Sequence, residues 1–170
     1  MINKKILFIS ILLITLTTKS FSQNIAYADL DKIVKTSEVG IKIITYFNDK
    51  NNKLIKKVKL DEKNLREKEK SVVSQKNILQ PDEYEKKVND IKTEIINLNK
   101  INSIELKNIN NEKNAVTKSF LDEINKILKE FAENNKIDII ISSNQILIGK
   151  VNLDKTDEIL KLVNSKIRKF

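Results

Sequence analysis

Apolar residues in the middle of this chain recur at helical intervals and form two matching rows. Ile44, Val58, Leu65, Val72 and Leu79 fall on one seven-residue repeat, with Asn51 the only polar member of the row. Tyr84, Val88, Ile91, Ile95 and Leu98 alternate steps of four and three. Each pattern paints one apolar stripe on an amphipathic helix. Between the rows stands Pro81, the only proline. It suits the first position of a helix, where no amide donor is needed, and it pushes Gln80 out of helical geometry. Asp82, Glu83 and Glu85 then place negative charge on the new helix's positive end. A kinked continuous helix is the alternative. The acids, and rows that match only when the chain folds back, favour a hairpin with its tip near 80–82.

Folding back predicts Leu79 beside Tyr84, Val72 near Ile91, Leu65 near Leu98 and Leu54 near Ile109. The companion row of the ascending arm is apolar only at its base, where Phe47 and Leu54 give way to Asp61, Lys68 and Gln75. Asp61, Asn102 and Glu105 interrupt the middle, so bends are expected near 58–62 and 101–106. Ile55, Val73, Ile78, Ile96, Ile101, Ile104 and Leu106 fall off the seam. Two readings stay open for them. The seam drifts because an α-helix does not repeat in seven, or these side chains are contact points for a client polypeptide.

The flanks read differently. Ile25–Asp29 alternates like a half-buried strand, with Ile25, Tyr27 and Ala26 available for packing. Leu30–Val34 is a short apolar turn or helix, and Thr36-Ser37-Glu38 offers caps for an ascending helix over Glu38–Leu79. After Val116 the apolar face widens to Phe120, Leu121, Ile124, Ile127, Leu128 and Phe131, which requires a real core. Asn134-Asn135 ends that helix. Ile137–Ser142 is a β-branched strand, Gln145–Val151 a second one, and Asp154 or Thr156 caps a closing helix carrying Ile159, Leu160, Val163 and Ile167. The predicted fold is α+β: a long antiparallel helical hairpin, the coiled-coil arm (38–111), attached to a small β-stranded body (23–37 and 112–170) as one domain, 23–170. So small a core favours oligomerisation, with Ile25, Tyr27, Ile137, Ile139, Ile141, Ile146 and Ile148 as the oligomerisation candidates.

The first residues add a destination. Lys4 and Lys5 precede the hydrocarbon run Ile6–Leu16, and Ser20-Phe21-Ser22 has small residues at signal-peptidase spacing. A run of about 11 residues is too short to span a bilayer as a helix, which takes about 20. We expect a signal peptide, residues 1–22, cleaved near Ser22; an uncleaved anchor is the other reading. Three of the 32 basic residues leave with it and none of the 23 acids, so a net charge of +9 becomes +6. That excess favours acidic partners, although Lys63, Arg66, Lys68 and Lys70 interleave with Asp61, Glu62, Glu67 and Glu69 as on any solvated helix.

Absences exclude whole classes of chemistry. Without Cys or His there is no thiol nucleophile, disulfide, Cys/His zinc site or imidazole base. Gly40 and Gly149 are the only glycines, too few for a phosphate-cradling loop. Carboxylate-only catalysis is formally open, but the acids sit at helix-surface spacing. The sequence argues against an enzyme, and no catalytic, cofactor-binding or metal residue is expected.

Asn24–Gly40 (NIAYADLDKIVKTSEVG), Leu79–Lys87 (LQPDEYEKK), Ile137–Lys150 (IDIIISSNQILIGK) and Leu153–Asn164 (LDKTDEILKLVN) together resemble the Skp/OmpH-like periplasmic chaperone family. The resemblance implies a homotrimer joined through its β-stranded bodies, with three arms enclosing a cavity. It implies a periplasmic, ATP-independent holdase for unfolded outer-membrane β-barrel proteins. Catalytic and ligand positions do not carry over, because such a site is a surface. The arms here are rich in Lys, Asn and Ile and poor in Ala, and no residues match the family's lipopolysaccharide-binding cluster, so contact with lipopolysaccharide or anionic lipid stays open. Two other functions compete with the holdase: an envelope coiled-coil scaffold or tether, and a polyanion binder. Nucleic acid is not expected, since export separates the chain from it and no aromatic-interleaved basic stripe is present.

Overall fold

The computed structural model describes residues 23–169. The expected signal peptide, residues 1–22, lies outside the described residues. Strand β1 (Ile25–Ala28) leads into helix α1 (Leu30–Thr36), then α2 (Glu38–Ser74) and α3 (Pro81–Asn134). Strand β2 (Ile139–Ser142), two 3-10 turns (Ser143–Gln145 and Val151–Leu153) and helix α4 (Thr156–Lys166) complete the chain. At 1.5 Å per residue, the 37 residues of α2 reach about 55 Å and the 54 of α3 about 80 Å. α3 therefore runs the length of the arm and on into the body.

Local chemistry sets the helix ends. Asp29 caps α1 by accepting from the Lys32 amide at 2.8 Å. Ser37, fully buried, caps α2 by accepting from Gly40. Gly40 sits so close to α1 that a Cβ there would stand 1.7 Å from the Val34 carbonyl oxygen. Gln80 is extended (φ −65°, ψ 147°) and Pro81 opens α3 with Asp82 and Glu83 in its first turn, as expected from the sequence. The ascending helix stops at Ser74 rather than Leu79: the Lys76 amide closes a turn on Val73 and the Leu79 amide on Gln75. At its far end α3 closes in a Schellman arrangement. The Ile137 amide donates to Ala132, the Lys136 amide to Glu133, and Lys136 takes the left-handed conformation (φ 55°).

β1 and β2 pair in parallel, Ile25 opposite Ile139 through Ala28 opposite Ser142. A parallel pair needs a crossover connection, and here the whole hairpin is that crossover. Among the described residues the sheet has two strands, not three. Gln145–Val151, expected as a strand, is instead an irregular segment between 3-10 turns. One edge of the sheet is already closed to it. The free side of β1 is taken by a bridge from Tyr27 to Asp154 and by the Lys155 amide donating to the Tyr27 carbonyl at 2.8 Å. The phase of β1 is also the reverse of the expected one. Ala26 and Ala28 are buried while Ile25 is exposed and Tyr27 half-buried, because the inward face needs small residues where the strand lies against the helices.

The core lies in the body. Ile33, Val39, Phe47, Phe120, Ile124, Ile127, Phe131, Ile159 and Val163 make one cluster, with Ile137 and Ile140 packed against it. α4 is tied on by a relay: the Asp29 amide donates to Thr156 Oγ1, and that hydroxyl donates to Asp154 Oδ1. Asp154 also accepts from the Thr156 amide, and the Thr156 hydrogen bonds hold its carboxyl below its ordinary value. Asn164 accepts from the Glu38 amide at 2.9 Å, joining α4 to the root of the arm. Outward from Leu54 and Ile109 the core thins to Ile91 alone.

Candidate binding surface of the helical arm

The two arm helices meet in one register. Lys50 Nζ donates to Glu112 at 2.6 Å, Lys57 to Glu105 at 2.9 Å, Lys68 to Glu94 at 2.6 Å, and Lys87 Nζ to Gln75 at 3.0 Å. Steps of seven, eleven and seven along α2 are matched by seven, eleven and seven back along α3. Seven- and eleven-residue steps both close on whole helical turns, two and three, so all four pairs fall on the same edge of the hairpin. The apolar partners expected from the sequence fit this register with an offset of one residue: Leu54 with Ile109, Leu65 with Leu98, Val72 with Ile91. Ile44, expected in the first row, is exposed, and Ile43 is buried instead, because the helix turns its face toward α1 at the root of the arm.

The polar edge is strongest at the root. Glu112 accepts from both Lys50 and the Tyr46 hydroxyl (3.1 Å), Lys50 lies 4.8 Å from the Tyr46 ring centroid, and Tyr46 meets Phe47 edge-to-face at 5.0 Å. The Lys50 hydrogen bond, then that of Tyr46, holds the Glu112 carboxyl below its ordinary value, and Glu112 holds the Lys50 ammonium above its own.

The opposite edge is apolar and open. Near the root a groove of about 600 Å³ is lined by Leu54, Ile55, Val58 and Leu106, with Asn51, Asn102, Ser103 and Asn110 at its margins and no charged side chain. Nearer the tip a second groove, about 310 Å³, is lined by Val72, Val73, Tyr84, Val88, Ile91 and Ile95, flanked by Glu69 and Lys92. Between the grooves the seam carries a defect. Asp61 Oδ2 and Asn102 Oδ1, in the same register as the apolar pairs, are buried without a hydrogen-bond partner.

All seven off-seam candidates are exposed, from Leu106 at 47 % to Ile78 at 80 %, but the fold does not bring them together. Ile55 and Leu106 line the lower groove and Val73 the upper one. Ile78 is in the tip turn. Ile96 stands one heptad from Ser103, at the outer margin of the same edge. Ile101 stands one heptad from Glu94, on the polar edge, and Ile104 lines neither groove. This two-edged character was missed in the sequence; the matched steps of Lys50, Lys57, Lys68 and Gln75 against Glu112, Glu105, Glu94 and Lys87 carried it.

Of the oligomerisation candidates, Ile25, Tyr27, Ile139 and Ile141 share the outer face of the sheet by strand alternation. Ile137 packs against the core. Ile148 is 90 % exposed beside Leu147 at 97 %, and Ile146 is half-buried. Among the described residues no acidic cluster could hold a metal ion and no helix is long and apolar enough to cross a membrane.

The family model for outer membrane protein (OmpH-like) matches residues 24–163. The chain belongs to the OmpH-like family. The match reaches from β1 into α4 and so includes both the arm and the body of this OmpH-like chain. The crystal structure of a candidate outer membrane chaperone (OmpH-like) from Caulobacter crescentus CB15 is similar in fold, with a TM-score of 0.81, 11% identity and 88% of each chain covered. No curated protein matches the OmpH-like chain in sequence.

Proposed function

We propose that this chain is an ATP-independent periplasmic holdase that keeps unfolded outer-membrane β-barrel proteins from aggregating in transit. The observation that carries the reading is the arm itself: a thin hairpin with almost no core of its own and large apolar side chains exposed along its length. Membrane-barrel chains alternate apolar and polar residues, so they clump when unfolded in water. Exposed side chains such as Ile55, Val73 and Leu106 offer such a chain many weak contacts, none of which needs a defined sequence. Three arms joined at one base raise the effective concentration of those contacts, and release requires no nucleotide.

The subunits join as a trimer through the body (23–37 and 112–170), leaving the arms (38–111) free. The outer sheet face of Ile25, Tyr27, Ile139 and Ile141, together with the exposed Leu147, Ile148 and Val151, supports this assembly, since so much aliphatic surface is costly in water. Removal of residues 1–22 on export places the mature protein in the periplasm.

The test is light scattering of a urea-unfolded outer-membrane barrel diluted into buffer with and without the mature protein, paired with its mass in solution. Suppressed scattering by a trimer is expected. A monomer that leaves the barrel to precipitate overturns the reading. A one-to-one complex with a folded envelope protein would point to a tether, and salt-sensitive binding to lipopolysaccharide alone to a polyanion binder.

A further inference from the structure

We infer that the two edges of the arm have different tasks: the apolar edge holds the client, and the ion-paired edge keeps the hairpin closed and stays out of contact. The inference rests on the holdase reading and deepens it, because it separates the seven exposed candidates. Ile55, Val73 and Leu106 belong to the client edge, while Ile101 and Ile104 do not.

The occupant is an extended segment of an unfolded polypeptide with apolar side chains at alternate positions. Three features fit it. The lower groove has aliphatic walls and only neutral polar groups at its rim, so it desolvates no charge. Asn51, Ser103 and Asn110 there carry both donors and acceptors, the complement of a peptide backbone with no partner strand. The length also fits. From Asn51 to Val73 the edge runs about 33 Å at 1.5 Å per residue, which an extended chain covers in about 10 residues. A transmembrane β-strand has about 9–11. On the other edge, the Lys50, Lys57 and Lys68 ammonium groups are already engaged by Glu112, Glu105 and Glu94, which leaves little there for a client to bind.

Because the chain has no cysteine, single thiols can be placed without background. Ile55→Cys, Val73→Cys and Leu106→Cys on one edge, and Lys57→Cys, Lys68→Cys and Ile101→Cys on the other, would each carry a thiol-linked photocrosslinker. The mature protein would then be irradiated with an unfolded outer-membrane barrel. Client adducts are expected at 55, 73 and 106, at least about tenfold above the other three, a ratio corresponding to roughly 1.4 kcal/mol of preference. In parallel, Ile55→Ser/Val73→Ser/Leu106→Ser should raise the protein needed for half-maximal protection about tenfold, while Ile101→Ser/Ile104→Ser stays within about twofold. Equal adducts on both edges, with wild-type protection intact, overturn this inference and leave the holdase reading standing. Adducts between protein copies at 55 and 106 would mean that the edge is covered by another arm, which also overturns it. If the wild-type protein fails to protect the client at all, the holdase reading falls first.

Discussion

Replacing Asp61 and Asn102 together by leucine should stabilise the arm. Asp61 Oδ2 and Asn102 Oδ1 are both acceptors, both buried and both without a donor. An orphaned buried polar group costs about 1–3 kcal/mol, so the layer carries a penalty of about 2–6 kcal/mol. Both residues are only half-buried, which places the recoverable part at the lower end, about 2–4 kcal/mol. Leucine also restores the apolar row between Leu54–Ile109 and Leu65–Leu98. Neither single substitution should recover half the gain, since each leaves the facing acceptor unpaired; the double-mutant cycle should show coupling of about 1 kcal/mol or more. Hydrogen exchange across 58–65 and 98–105 reads this locally. A gain of about 2–4 kcal/mol slows exchange there by roughly 30- to 1000-fold. Unchanged protection in the double variant, or additive single variants, would refute the idea that this layer is a mismatched pair. Uniform protection along the wild-type arm would refute the related expectation that it bends there.

Three further outcomes can be checked. Gly40→Ala should lower stability by about 1–3 kcal/mol or more in a urea melt, although alanine is the better helix former by about 1 kcal/mol, because its Cβ would meet the Val34 carbonyl. Lys136→Gly should raise stability by about 0.5–1 kcal/mol, since glycine takes the left-handed position of the α3 terminus without steric cost. Glu112→Gln should flatten the acid side of the stability profile. A carboxyl held below its ordinary 4.5 contributes above that pH and loses its contribution as pH falls through the lowered value. Lys50, held above 10.5, contributes below that pH and loses its share as pH rises past it. The wild-type advantage in urea midpoint should therefore be flat between those limits and close at both ends.

The hairpin was legible because its determinants are local. Pro81 with Gln80 before it and acids after it defines a helix start without reference to anything distant, as Ser37 does for α2. The apolar pairing was legible because it follows from folding the chain at one point. What depended on third partners was not. Ile43 displaces Ile44 from the core because α2 meets α1 as well as α3 at the root. Ala26 and Ala28 turn inward because the side of β1 facing the helices has room only for small residues, which alternation alone does not reveal. Gln145–Val151 has the composition of a strand, yet the outer edge of β1 is already taken by Asp154 and Lys155. The seven off-seam residues were found by periodicity, but sorting them onto two edges required the cross-arm ion pairs, which seven-residue rows do not mark.

Asn24 accepts from the amide of Asp138, 114 positions further along the chain, and the two strands of the sheet are just as far apart. Closing so large a loop carries an entropic toll that short-range contacts must offset beforehand. A hairpin zipping from its tip, where contacts are as near in sequence as Gln75 and Lys87, would bring Asn24 and Asp138 closer at each step. The limb that reaches outward in the finished molecule is thus also the device that delivers its own anchor strands to each other, and a cut at the tip would strand them.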